Sequence, residues 1–252
     1  MLVKMKLPPR VWQRVWYNQL ETRRLHVPPV EVKSLNDQLR EKLKHSGELI
    51  KRAMTLYKPN EIMLCFNGGK DCTVLLDILA KVKPPSMPLG AVYVSCPDPF
   101  EELEKFVDDC AQRYGLQLRR FEGDLRMAFE RLLAENPQVQ AMFLGCRRSD
   151  PGGLNLGEML PSDNGWPPMM RIFPLLDWSY HDIWRYIRVN DLPYCCLYDQ
   201  GYTSLGDRRS THVNPSLMVY DEKLDKMTYR AAYELEDSRL ERANRDEHES
   251  KQ

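Results

Sequence analysis

The chain has 252 residues, enough for one large domain or a domain with an appendage. Its 36 basic and 36 acidic residues cancel, so nothing in the charge points to a nucleic-acid partner. No apolar run approaches the ~20 residues that span a bilayer, so no membrane association is expected. Residues 1–33 are rich in Pro, Arg and aromatics and read as an N-terminal extension. The stretch is a poor secretory signal, but it carries no acid before Glu21 and is compatible with an organellar presequence. The spacing of Leu39, Leu43, Ile50, Met54 and Tyr57 predicts a helix over 36–57, ended by Lys58-Pro59-Asn60. Ile62-Met63-Leu64-Cys65-Phe66 is a continuous apolar run of strand length, the pattern of a strand buried on both faces. It leads into Asn67-Gly68-Gly69-Lys70-Asp71, after which Cys72 to Val82 reads as a helix.

The alternation repeats. Residues 91–94 predict a strand, and Leu103, Phe106, Val107, Cys110 and Tyr114 a helix. Leu116-Gln117-Leu118 is a weak strand candidate, Leu125 to Leu133 an amphipathic helix, and residues 141–144 an apolar strand ending at Gly145. Residues 146–170 then lose all periodicity and read as a long functional loop. A last helix is expected near Ser179, and the final fifteen residues are rich in charge. Strands alternating with helices imply an α/β fold with a doubly wound, mostly parallel sheet. The nucleotide-binding core is placed at 34–150, with 151–252 as a C-terminal extension packed on the same domain.

Chemistry gathers at two predicted strand ends, where ligands bind in such sheets. Gly68 and Gly69 let the backbone turn its amides inward, and the helix that follows adds its positive dipole end. With Lys70 as cation and Asp71 as cap or metal ligand, this is a polyphosphate cradle, although a plain strand-to-helix turn needs little more than the glycines. The loop is neither a Walker A loop nor a Gly-x-Gly-x-x-Gly fingerprint. The seven cysteines form no metal-binding spacing, so reduced thiols and a reducing compartment, the cytoplasm, are expected. His181 and the other histidines form no ligand pair.

Phe66-Asn67-Gly68-Gly69-Lys70-Asp71-Cys72-Thr73 resembles the pyrophosphatase loop of the adenine nucleotide α-hydrolase-like superfamily, which includes PAPS reductases and eukaryotic FAD synthases. Four further segments resemble the FAD synthase branch: Gly145-Cys146-Arg147-Arg148-Ser149-Asp150-Pro151, Asp163 to Trp178, Tyr198 to Gly206, and Leu240-Glu241-Arg242-Ala243-Asn244-Arg245. In the last, Asn244 replaces a Gly of the family pattern and raises the question of whether a left-handed turn survives there. The resemblance covers about residues 60–245.

It implies adenylyl transfer from ATP to FMN, giving FAD and pyrophosphate, by a stand-alone monomer or weak oligomer. For ATP it points to Asn67, Gly68, Gly69, Lys70, Asp71, Tyr93, Ser95, Gly145 and Arg147. For FMN it points to Arg148, Asp150, Asp163, Trp166, Met169, Met170, Arg171, Arg242 and Arg245, in a C-terminal flavin-binding extension. Asn67, Asp71, Asp150, Arg242 and Arg245 are the expected catalytic residues, with Asp71 and Asp150 near Mg²⁺, since hard oxygen ligands suit that ion. Plain core packing is the alternative for Trp166 and the two methionines. The rival readings are a PAPS or APS reductase, which needs a cysteine near the C-terminus where this chain has none after Cys196, and an inactive flavin- or nucleotide-binding module.

Overall fold

The computed structural model describes residues 35–246; the expected N-terminal extension and presequence lie outside them. Helix α1 (Asp37–Leu56) starts on Asn36, whose side chain accepts from the Leu39 amide at 2.8 Å. There follow β1 (Ile62–Cys65), α2 (Lys70–Val82), β2 (Leu89–Ser95), α3 (Glu101–Tyr114), β3 (Leu116–Glu122), α4 (Leu125–Glu135) and β4 (Ala141–Phe143). Next come β5 (Met159–Pro161), β6 (Met170–Ile172), α5 (Tyr180–Val189) and an antiparallel hairpin of β7 (Met218–Asp221) and β8 (Lys226–Tyr229).

The main sheet runs β3-β2-β1-β4-β6-β5, parallel except for the edge strand β5. Alternate β1 residues bury opposite ways: Ile62, Leu64 and Phe66 join the large cluster with α1, α2, α3 and α5, whereas Met63 packs with Phe129 and Leu132 of α4. The sheet is therefore covered on both faces, as its unbroken apolar strands require. Its chain order reverses between β1 and β4, so the crevice beyond their carboxyl ends is the topological switch point.

Three elements differ from the sequence reading. Helix α2 begins at Lys70, two residues early, because Gly69 occupies the N-cap in an extended conformation. Residues 146–170, read as loop, contain β5 and lead into β6, each only three residues long and therefore without readable periodicity. The β7–β8 hairpin was likewise not read from the sequence. Among the described residues no helix is long and apolar enough to cross a membrane.

Candidate active site

Gly68 holds φ +72°, and a Cβ there would lie 2.8 Å from Val107 and 2.9 Å from Leu103. Only glycine therefore lets the chain pass between β1 and α3 and enter α2. Asn67 fixes the turn by accepting the Gly69 amide at 2.9 Å. The Lys70 amide, the first of α2, donates to the Tyr198 hydroxyl at 3.0 Å. Two of the amides expected to face phosphate thus already have protein partners.

Gly145, just past β4, presses directly on the start of α2. A Cβ there would stand 2.9 Å from Cys72 Sγ and 3.2 Å from the Cys72 backbone nitrogen. This approach brings Arg147 beside Asp71. Arg147 is 1% exposed, and its Nε lies 2.9 Å from Asp71 Oδ1. It also donates to Asp150 twice, from its amide at 2.8 Å and from its guanidinium at 2.9 Å.

Lys70, 3% exposed, completes the cluster. Its Nζ donates to Asp71 Oδ2 at 3.0 Å and to Glu241 Oε1 at 2.5 Å. Arg147 donates to the same Glu241 carboxylate at 2.6 and 2.8 Å. Two buried cations therefore face three carboxylates. Burial would raise Asp71, but Lys70 and Arg147 hold it below its ordinary value. Burial, the largest influence, raises Asp150; Arg147 opposes it and Asp71 and Glu241 reinforce it, leaving the carboxyl above its ordinary value. Burial alone would lower Lys70; Asp71 and Glu241 raise it instead, so it stays charged. Lys70 is paired within the cluster, and Arg147 is paired through Nε and Nη2 while its buried Nη1 has no hydrogen-bond partner.

Glu241 was not singled out in the sequence, where it is one acid in a charged tail. The described part of that tail, residues 238–246, is a 3₁₀ turn followed by further turns. It turns back on the strand ends and is tied down by Asn244, 2% exposed, whose amide donates to the carbonyls of Ser204 at 2.9 Å and His212 at 2.8 Å. Asn244 does not adopt positive φ, so the expected left-handed turn is not needed. Its side chain makes bonds that glycine could not. Thr203 adds a bond to the Glu241 carbonyl at 2.7 Å. Arg245 packs its guanidinium against Gly206, where a Cβ would approach it to 2.2 Å. Burial lowers the Arg245 pKa and the neighbouring Arg242 adds to this, while Cys96, Asp207 and Tyr198 act the other way. Arg242 is exposed on the same turn.

The remaining expected residues disperse. Ser95 ends β2 at the carboxyl side of the sheet. Tyr93 does not line a ligand surface: it is 3% exposed, its ring lies in the core and its hydroxyl is bound to Glu104. Arg148 turns away from Asp150 and donates to Asp177 at 2.6 Å and the Leu156 carbonyl at 2.8 Å. Asp163, Trp166, Met169 and Met170 lie around a cavity of about 400 Å³. That cavity sits at the opposite end of the sheet, since Met170 pairs with Ala141, the first residue of β4. Arg171 holds Asp163 there with two bonds of 2.9 Å. Met169, 7% exposed, is core packing under α4.

No ready-made cage for a metal is present: among the described residues no three His, Cys, Asp or Glu side chains cluster to hold an ion. Asp71 and Asp150, the carboxylates expected near Mg²⁺, are hard donors that both face Arg147. They suit a Mg²⁺ that arrives on phosphates and keeps most of its waters, binding through one or two carboxylates.

Residues 61–128 and 126–213 match the model of the phosphoadenosine phosphosulfate reductase domain. The chain is 38% identical over 218 residues to a probable FAD synthase of Schizosaccharomyces pombe, covering 82% of this chain and 80% of that one. It is 36% identical to a probable FAD synthase of Caenorhabditis elegans over 81% of this chain, which spans 40% of that longer relative. Its fold superposes on Candida glabrata FMN adenylyltransferase, solved with FMN and an ATP analogue, with a TM-score of 0.77 and 25% identity, covering 86% of this chain and 92% of that one. The cluster of Lys70, Asp71, Arg147 and Glu241 at the switch point thus stands on a fold shared with a flavin adenylyltransferase, and the chain belongs to the FAD synthase family.

Proposed function

We infer that the chain transfers the adenylyl group of ATP to FMN, releasing pyrophosphate and forming FAD. The observation that carries this reading is the loop Asn67–Asp71 at the β1–β4 switch point, closed over by the Arg242- and Arg245-bearing turn, in a member of the FAD synthase family.

An FMN phosphate oxygen bonds to the α-phosphorus while the bond from that phosphorus to the pyrophosphate oxygen breaks. The FMN phosphate has a second pKa near ~6 and is already largely ionised at neutral pH, so no general base is needed. The protein must instead align two anions and offset their repulsion. The N-terminus of α2 supplies a fixed positive dipole end at the loop. Arg245, partly desolvated and held on Gly206, and the exposed Arg242 supply charge from the other side. Lys70 and Arg147 act indirectly, holding Asp71, Asp150 and Glu241 in register. Mg²⁺ would be held by the substrate phosphates with Asp71 and Asp150 adjacent, and would neutralise charge on the departing pyrophosphate.

The flavin ring is assigned to the segment of Asp163, Trp166, Met170 and Arg171, with Met169 behind it. The three-residue strands β4 and β6, about 10 Å long, separate this segment from the Asp71 cluster, so FMN would lie along the β6 side of the sheet. The seven free thiols fit the cytoplasm, and a monomer or weak oligomer is the proposed state. Reductase chemistry finds no support at the site, where burial pushes the Cys146 thiol up to about 11.

The test is direct. Purified protein incubated with FMN, ATP and Mg²⁺ should form FAD and pyrophosphate in equal amounts. Absence of FAD above a no-enzyme control would overturn the assignment.

A further inference from the structure

Tyr198 lies in the 3₁₀ turn Cys196–Gln200 and is 1% exposed. Its ring is wedged against Trp184, with centroids 5.2 Å apart and planes at 81°. This packing leaves the ring no freedom to swing and aims the hydroxyl at the first turn of α2. There the oxygen accepts the Lys70 amide at 3.0 Å, and it lies 3.8 Å from where a Cβ on Gly69 would stand. Accepting that bond uses a lone pair and leaves the hydroxyl proton to be donated elsewhere. Among the described residues the hydroxyl has the Lys70 amide as donor and no acceptor for its own proton. Burial also pushes the Tyr198 pKa up and so opposes its ionisation, and the group stays a hydroxyl at neutral pH.

From this geometry we propose that the Tyr198 hydroxyl is a direct hydrogen-bond donor to the nucleotide phosphates, relaying the Lys70 amide outward by one group. The idea rests on reading the 67–71 loop as the phosphate site. The relay has a physical advantage. A hydroxyl that accepts from an amide is polarised and becomes a better donor, so the helix end acts at longer reach than its own N–H would. It also explains how the Lys70 amide can be occupied in the free protein without being lost to catalysis.

The experiment is Tyr198→Phe in the full chain, which keeps the ring and removes only the hydroxyl. Steady-state FAD formation is measured against ATP and FMN separately, with product inhibition by pyrophosphate and the thermal midpoint. We expect kcat/KM for ATP to fall by about tenfold or more and pyrophosphate inhibition to weaken in parallel, while KM for FMN stays unchanged. Unaltered ATP kinetics and pyrophosphate inhibition would overturn the proposal. So would equal losses toward ATP and FMN that track a lowered thermal midpoint, which mark a merely structural role. Should the variant be too unstable to assay, wild-type protein carrying ¹³Cζ-labelled tyrosine is titrated with magnesium pyrophosphate. A shifted Tyr198 signal supports the contact and an unmoved one overturns it. Pyrophosphate binding can be read even if the wild type forms no FAD, so failure of the enzyme assignment and failure of the Tyr198 contact are separable.

Discussion

Glu241 and Lys70, 171 positions apart in the chain, meet in a buried ion pair of 2.5 Å, and the same carboxylate also holds Arg147. This contact fastens the arginine-bearing C-terminal turn to the start of α2 beside the loop Asn67–Asp71. Because Lys70 and Arg147 are almost fully buried, removing their counter-charge leaves cations that water cannot reach. Glu241→Ala should therefore cost about 3–5 kcal/mol of stability, read by urea denaturation. Glu241→Gln, which keeps an acceptor oxygen, should cost less. Equal stability of Glu241→Ala and wild type would show that the pair does not bind the turn.

Gly68 and Gly145 make different demands. Gly68→Ala must place a side chain at φ +72° and against Val107 and Leu103, with an expected loss of about 1–3 kcal/mol. Gly145→Ala meets mainly Cys72, so it should displace Arg147 from Asp71 and depress turnover more than stability. Adding Cys72→Ala relieves the sulfur contact but not the 3.2 Å backbone contact, and should restore activity only in part. Complete rescue would mean that the backbone approach is not the constraint.

The two aspartates should respond oppositely to pH. Asp71 is depressed in the folded state, so its stabilisation is fully present above the unfolded value near ~3.9 and is lost as pH falls through its lower folded value. Asp150 is raised, so its ionisation costs stability as pH climbs from the unfolded value through the folded one. Asp71→Asn should destabilise at pH 7, with the gap to wild type closing below about pH 4. Asp150→Asn should lose less at pH 7. Urea titrations across this range check both, and a larger neutral-pH loss for Asp150→Asn would reverse the assignment.

Metal should matter to turnover and not to the free fold. EDTA is expected to abolish FAD formation and excess Mg²⁺ to restore it. Without nucleotide, Mg²⁺ should leave the thermal midpoint unchanged, because no three-donor cluster awaits it among the described residues. A substantial shift in the nucleotide-free protein would reveal a protein-held ion instead.

The flavin assignment is tested at Trp166, 38% exposed beside the cavity at the amino ends of β4 and β6. FMN should quench its fluorescence, an effect that Trp166→Phe removes, and Arg171→Ala should raise KM for FMN several-fold by releasing Asp163. If both variants bind FMN as wild type does, the ring lies elsewhere.

The alternation of apolar runs with amphipathic helices was enough to anticipate the parallel sheet and the loop after β1, because strands buried on both faces write their burial directly into local composition. Gly68 and Gly145 were legible for a similar reason: a tight turn at a strand end admits few residue types. The short strands β5 and β6 were not, since three residues carry no period and their place comes from pairing, β6 with β4 and β5 with β6. Tyr93 misled because an aromatic near a strand end looks the same whether it faces a ligand or, as here, a helix that supplies Glu104.

What the sequence determined by itself is therefore the sheet, the glycine-bearing loop after β1 and, through several separate motifs, the family. Tertiary structure alone decided which charges pair with which. Lys70 and Arg147 are consumed by Asp71, Asp150 and Glu241, and Tyr198 takes the Lys70 amide. Ion pairing depends on distance in space and on burial, and neither is encoded locally in a chain whose partners stand 94 and 171 residues apart.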